Sequence, residues 1–462
     1  MARAAVPEQE ERWYRTVWRW HFYAGLFTVP FILWLSATGA IYLLKPQIES
    51  WIDRSHDNLV VEGAALAPSA LVRHAEAAVP GSVVHRFILR EQADDAQRVI
   101  VGVGAEETRV YLHPETGEVL ETVGEEDRFM RVIFRLHGEL MAGRWGSTLV
   151  ELAASWAIVM LLTGLFLWWP RDRKGLAGVL YPRLGREGRV FWRDMHAVTG
   201  VWVSLFAILL IFTGLPWAKN WGDYLGHVRE ATGQVSGPID WSRGSDAERR
   251  ERAELDRRAR MVLGAHAEHM QKPAGASGAG LMQQLDRVVP AVSRLGLAAP
   301  VEIVPAATQT APWKAQSEAA NRPQRSTVEI DGPGGKVIGR VDFAQRHWID
   351  RLVGYGVALH EGALFGVANQ VLGLATVSAL VVLALSSVVM WWRRRPSGRL
   401  GAPAPKGAMR HSGLLVGAVI VLGILVPLFG ISLGLVVLVE RFLLRGSERI
   451  RRFMGLRGQP HP

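Results

Sequence analysis

No cysteine occurs among the 462 residues, which excludes disulfides, thiolate iron–sulfur ligation and covalent haem attachment through CxxCH. The signatures of nucleotide and hydrolase chemistry are missing as well. There is no P-loop, no GxSxG, no HExxH and no GxGxxG opening a helix after a strand; GVGAEE at Gly102 lacks the third glycine and lies in a strand-like run. Charge is absent from five long stretches: Trp20 to Leu44, Leu152 to Trp169, Met195 to Ala218, Gly362 to Trp392 and Ser412 to Val439. A bilayer core of about 30 Å needs roughly 20 apolar residues, so runs of this length make the chain a polytopic protein of the lipid bilayer. The first run follows Glu8, Glu10 and Glu11 and continues into Lys45 without a small-residue cleavage site, which reads as an uncleaved anchor.

A formal net charge of +10 fits either nucleic acid or an anionic membrane surface, and its distribution selects the membrane. Arg3, Arg12, Arg15 and Arg19 precede the first run, a basic loop containing Arg183, Arg186, Arg189 and Arg193 follows the second, and Arg393 to Arg395 follow the fourth. Under the positive-inside rule these segments are cytoplasmic, and no nucleic-acid partner is expected. The expected location is a bacterial inner membrane with a cytoplasmic N-terminus, and Lys45 to Arg135 and Lys219 to Leu359 face the periplasm. The last apolar run carries Pro427 and Gly430 near its middle and basic residues at both ends, so it is one kinked span or a hairpin turning at PLFG. The hairpin, with legs of about 14 residues, keeps both basic ends inside and is favoured.

Two histidines 175 residues apart open the same motif, WHFYAGLFTVPFILWLSATG from Trp20 and MHAVTGVWVSLFAILLIFTG from Met195, each with Thr-Gly near its end. A second pair repeats likewise: RLHGEL around His137 and ALHEGALFG around His360 are each followed by a Trp-Trp pair, Trp168-Trp169 and Trp391-Trp392. Two neutral imidazoles complete the axial positions of a low-spin haem iron, so the four histidines predict two bis-histidine sites. Without cysteine these are two non-covalent b-type haems. Topology pairs His21 with His196 near the cytoplasmic interface and His137 with His360 at the outer face. Arg19 and Arg193 are candidate propionate partners of the inner haem, and Arg135, Arg131 and Arg351 of the outer one. A continuous helix from His137 to Trp168 would span about 46 Å and lift that histidine above the hydrocarbon, unless glycines 138, 143 and 146 interrupt it. Thr38-Gly39 and Thr213-Gly214 admit a haem plate or close helix packing. Glu139 and Glu361 read as groups supporting the ligands or handling protons, or as interfacial surface charges. His266 and His269, in HAEHM, lie one turn apart but in a charged stretch without nearby partners.

The segments between the spans repeat too. VYLHPETGEVLETV (Val110 to Val123) aligns with VEIDGPGGKVIGRV (Val328 to Val341) at an offset of 218, pairing Gly117 with Gly335, and alternating apolar residues around a glycine turn predict a β-hairpin. A short helix and a strand precede each, in LVRHAEAAVPGSVVHRFIL and QQLDRVVPAVSRLGLAAPVEIV, so one small α+β domain is expected per segment. The extra length of the second falls at about 221–280 and reads as an inserted helix and linker. The expected organisation is an N-terminal segment and span (1–45), a first outer domain (46–135), an outer ligand segment and span (136–170), and a basic loop (171–194). A third span (195–218), a second outer domain (219–359), a ligand segment and fourth span (360–395), a C-terminal hydrophobic hairpin or kinked span (411–442) and a basic tail (443–462) complete it.

The order of elements, the WHFYAGL start, the hairpin YLHPETGEVL and the pre-span RLHGEL resemble the PepSY-associated transmembrane family of bacterial iron-regulated membrane proteins, from Trp13 to about Phe442 without the insertion. The resemblance implies a mainly α membrane protein with a four-helix transmembrane haem-binding core and two PepSY-like periplasmic domains. It also implies reduction of a periplasmic ferric siderophore, Fe(III) to Fe(II), for iron release and uptake. The donor would be a cytoplasmic flavoprotein reductase or quinol; nothing in the chain resembles a fused flavin domain. Two other classes stand beside this oxidoreductase. One is a non-redox membrane scaffold whose PepSY domains regulate a peptidase, and the other is a quinol-linked respiratory subunit with another acceptor.

Overall fold

The computed structural model describes residues 8–170, 175–232, 245–264, 276–308, 310–403, 413–444 and 447–455. In chain order the first half holds α1 (Glu8–Leu43), α2 (Lys45–Asp53), α3 (Pro68–Ala78), β1 (Val83–Ile88), β2 (Gln97–Val103), β3 (Glu106–Leu112), β4 (Val119–Gly124), α4 (Phe129–Glu139) and α5 (Gly143–Trp168). Then come α6 (Gly188–Gly214), α7 (Lys219–Ala231), α8 (Ser245–Gly264), α9 (Ala276–Ser293), β5 (Val301–Val304), β6 (Trp313–Ser317), β7 (Ser326–Asp331) and β8 (Lys336–Asp342). The chain ends with α10 (Trp348–His360), α11 (Val367–Arg394), α12 (Gly413–Leu425), α13 (Pro427–Val439) and α14 (Glu448–Met454). Two compact units result: a helical one from Met1–Ala40, His137–Val228 and Val371–Pro462, and one containing the sheet from Ile41–Leu136 and Arg229–Gln370.

In the helical unit four helices are long and apolar enough to cross a membrane, at Glu11–Leu43, Gly143–Trp168, Gly188–Trp217 and Val367–Arg394. The fifth apolar run breaks at Val426, where Pro427 starts α13. A Cβ on Gly423 would lie 3.5 Å from the Cα of Gly430, so the two glycines let α12 and α13 fold back on each other. Val426 and Phe429, at this turn, are buried against Ile158 and Leu215, and Trp221 Nε1 donates to the Leu425 carbonyl at 2.9 Å.

In the other unit the two repeated segments do not form two separate sheets. Their strands join in one antiparallel eight-stranded sheet of order β4-β3-β2-β1-β5-β6-β7-β8. The join is short, pairing Phe87 with Ile303 and Ile88 with Glu302. Alternation of apolar residues, with a register shift between Val84 and Arg86 in β1, sends Val84, Phe87, Val99, Val101, Ile303 and Val328 to one face, where they meet Leu71, Val72 and Ala75 of α3 and Leu281, Leu285 and Val288 of α9. Burial of each of these valine, leucine, isoleucine and phenylalanine side chains contributes about 1.5–3 kcal/mol. Ser69, in the first turn of α3, donates through its backbone N–H and its hydroxyl to Asp286 of α9, both at 2.8 Å, which ties the two repeats together. The hairpins predicted at 110–123 and 328–341 are β3–β4 and β7–β8, and the repeated glycines Gly117 and Gly335 both adopt left-handed φ, +73° and +64°.

The inserted helix α8 lies against the first repeat through charges spaced one turn apart. Glu248 pairs with Arg131, Arg252 with Glu107 at 3.0 Å and Glu126 at 2.7 Å, and Asp256 with His85 at 3.5 Å. Arg260 completes the row, donating to the Gly81 carbonyl at 3.0 Å.

Candidate functional site

The motif histidine of α1, His21, and its repeat on α6, His196, come together within the helical unit. Their ring centres are 6.2 Å apart and their planes cross at 79°. The Nδ1 of His21 lies 2.9 Å from the Met160 carbonyl and 3.2 Å from the Thr163 hydroxyl, both on α5. The Nδ1 of His196 lies 3.1 Å from the Leu383 carbonyl and 3.3 Å from the Ser386 hydroxyl, both on α11. Met160 and Leu383 are 223 residues apart, as are Thr163 and Ser386, and so are the Trp-Trp pairs that close these spans. Duplication therefore brings two histidines together with their rings nearly perpendicular, each braced by the equivalent turn of a different span.

A carbonyl only accepts, so each Nδ1 carries a proton and Nε2 is the nitrogen that could serve as a ligand. Two imidazoles sharing one metal ion through bonds of about 2 Å, each with its ring centre roughly 1.2 Å behind the bonding nitrogen, would have their centres about 6 Å apart. The observed separation fits that requirement. Gly164 belongs to the same pocket: a Cβ there would stand 3.1 Å from His21 Cε1, so glycine lets the imidazole lie against α5. Thr163-Gly164 and Ser386 lie outside the repeated histidine motifs. The available signal was a Thr-Gly pair inside the second span, five residues before Trp168-Trp169.

His137 and His360 occupy equivalent local structures. His137 lies in the last turn of α4 and His360 ends α10, and each is followed by a turn with left-handed residues before its span begins. After His137 these are Leu140, Met141 and Gly143, with φ of 50°, 56° and 53°; after His360 they are Gly362 and Gly366, at 76° and 58°. The turn interrupts the helix that the longest reading carried from His137 to Trp168, so the height of about 46 Å does not apply. Within the helical unit His137 Nδ1 meets the Thr38 hydroxyl at 2.9 Å, and a Cβ on Gly39 would stand 3.2 Å from His137 Cε1. Thr38-Gly39 thus makes room for an imidazole.

Of the arginines proposed from sequence, Arg19, Arg193, Arg135 and Arg131 have protein partners. Arg19 donates to the carbonyls of Pro403 at 2.6 Å and Gly455 at 2.8 Å. Arg193 and Arg183 both bind the fully buried Asp194, at 2.7 and 2.6 Å. Arg135 lies 3.4 Å from Glu126, which also pairs with Arg131 at 3.1 Å. Burial alone would raise the Glu126 carboxyl, but Arg131 and Arg252 outweigh it and hold it below the usual range. Arg351 has a buried Nε with no hydrogen-bond partner. Glu139 is 4 % exposed and so is not a surface charge, while Glu361 accepts from Tyr42 at 3.5 Å and lies 3.9 Å from Arg322. His266 and His269 lie outside the described residues, and among those described no group of three or more His, Asp or Glu side chains is arranged to hold a metal ion.

One further buried carboxylate lies in a span. Glu151 of α5 accepts from the first-turn N–H groups of α7, Asn220 at 3.0 Å and Trp221 at 3.3 Å, and so caps that helix.

No curated protein matches the chain. The family profile described as the PepSY-associated TM region matches residues 18–394, a stretch that contains α1 from Trp18 onward, all eight strands and the other three long spans. Four apolar helices, the repeated histidine motifs and this match over most of the length make the chain a membrane protein of the PepSY-associated TM region family.

Proposed function

We propose that this chain is a transmembrane electron-transfer protein that takes electrons at the cytoplasmic side of a bacterial inner membrane and delivers them to a periplasmic ferric siderophore. The observation that carries the reading is the His21–His196 pair, whose centres are 6.2 Å apart and whose Nδ1 atoms are both committed to backbone carbonyls. His21 and His196 would hold a b-type haem, which would supply one-electron transfer. Met160 and Leu383 orient the rings through their carbonyls, and Gly164 keeps the space beside His21. The sequence repeat extends the assignment to a second haem with His137 and His360 as ligands. Propionate anchoring by Arg19, Arg193 or Arg135 requires their present partners to share them, since each already faces a carbonyl or a carboxylate.

The acceptor class rests on the resemblance of the sequence motifs to iron-regulated members of the family. Reduction serves release because Fe(II) is the softer ion and a hard-oxygen chelator holds it less strongly. The donor in this proposal is a cytoplasmic flavoprotein or quinol. The test is anaerobic: dithionite-reduced protein in detergent is mixed with a ferric siderophore and haem reoxidation is followed. Reoxidation that His137→Ala or His360→Ala slows at least tenfold while leaving His21–His196 spectra intact supports the proposal. Stable reduced haem in the presence of several ferric siderophores, together with rapid reduction by quinol, would move the assignment to a respiratory subunit with another acceptor.

A further inference from the structure

The haem reading leaves the hydroxyls beside the ligands unassigned. Thr163 donates its hydroxyl proton to its own helix, to the Val159 carbonyl at 2.7 Å and the Met160 carbonyl at 3.0 Å. Ser386 does the same, to the Leu383 carbonyl at 2.9 Å. A hydroxyl with its proton so committed presents only lone pairs to a neighbour. Each Nδ1–H therefore faces two acceptors, a carbonyl and a hydroxyl oxygen, which are themselves joined by a hydrogen bond. The triangle of imidazole, carbonyl and hydroxyl occurs twice, at Thr163 and at its repeat Ser386. Thr38 is engaged alike: it donates to the Trp34 carbonyl at 2.9 Å and faces His137 Nδ1 at 2.9 Å.

We propose that Thr163 and Ser386 are positioning residues that lock the Nδ1–H tautomer of His21 and His196 and lower the reduction potential of the iron these histidines hold, with Thr38 acting likewise on His137. The inference rests on the haem reading. Two acceptors on one N–H polarise the ring and make Nε2 a stronger donor, which favours the oxidised iron. They also disfavour the alternative tautomer, whose protonated Nε2 cannot ligate a metal.

The test uses the full-length, haem-loaded protein with Thr163→Val, Ser386→Ala and the double change, read by potentiometric titration and low-temperature electron paramagnetic resonance. The Met160 and Leu383 carbonyls remain, so haem content and the bis-imidazole spectrum should persist. The midpoint potential of that haem should rise in each single variant and further in the double. Thr163→Ser and Ser386→Thr should keep the wild-type potential, a rescue that a purely structural role would not tie to the hydroxyl. If the double variant loses haem, the single variants are judged by the same criterion. Haem-loaded variants with an unchanged or lower potential would overturn this inference alone, whereas wild-type protein that never takes up haem overturns the underlying reading with it.

Discussion

Glu107 offers a sharp energetic test of how the inserted helix is held. Its carboxylate is fully buried on β3, accepts from His85 Nδ1 at 2.8 Å, and lies 3.0 Å from both Arg86 and Arg252. Burial alone would raise its pKa; the His85 hydrogen bond and the two arginines reverse this and bring it to about 2, against 4.5 for an unperturbed group. A carboxyl with a depressed folded pKa stabilises fully above the unfolded value and loses that contribution as pH falls through the folded one. A depression of about 2.5 units at about 1.36 kcal/mol each contributes roughly 3 kcal/mol at pH 7, and about 1.4 kcal/mol remains at pH 3. Glu107→Gln should therefore destabilise the sheet unit by roughly 3 kcal/mol at neutral pH and by less than half that at pH 3. Pulse proteolysis in urea, scored for cleavage within β1–β4, measures both values on the full chain. A variant as stable as wild type at pH 7, or a difference that stays constant down to pH 3, would refute the charge-held account of this face.

Other expectations follow from single contacts. Gly164→Val should displace His21 and abolish haem binding at its site while the fold is retained, because even a Cβ stands 3.1 Å from the ring; unchanged haem content would contradict the packing argument. Arg252→Ala removes links to Glu107 and Glu126 and should speed amide exchange in α8 at least tenfold, with wild-type α8 loosening as salt is raised. Asp194→Ala leaves Arg183 and Arg193 without their shared acceptor and should cost about 1–2 kcal/mol, seen as a lower thermal midpoint.

Features written in local periodicity were legible from the chain alone. Uncharged runs place the four long spans, and glycine-centred alternation places β3–β4 and β7–β8. The histidine repeat identified His21 and His196 as a pair because duplication copies a site twice at fixed spacing. Long-range geometry left no such trace. The edge that fuses the two repeats pairs only Phe87–Ile303 and Ile88–Glu302, and no periodicity in either segment specifies an edge partner. The break after His137 uses Leu140 and Met141 in left-handed conformations that favour glycine, so propensity misdirects there. Thr163, Gly164 and Ser386 act through helix contacts in space, which the Thr-Gly pairs hint at but do not locate. Nearness in sequence to the histidines points to Arg19, Arg193 and Arg135, yet Arg193 and Arg135 reach carboxylates and Arg19 reaches carbonyls of the C-terminal segment.

The most direct test of the central claim is the pyridine haemochrome content and low-spin absorption of purified, detergent-solubilised protein, compared with His21→Ala and His196→Ala. The account predicts two non-covalent b-type haems per chain and the loss of one in either variant, with the other spectrum intact. Protein that is colourless and takes up no added haemin, or variants that keep both haems, would contradict it.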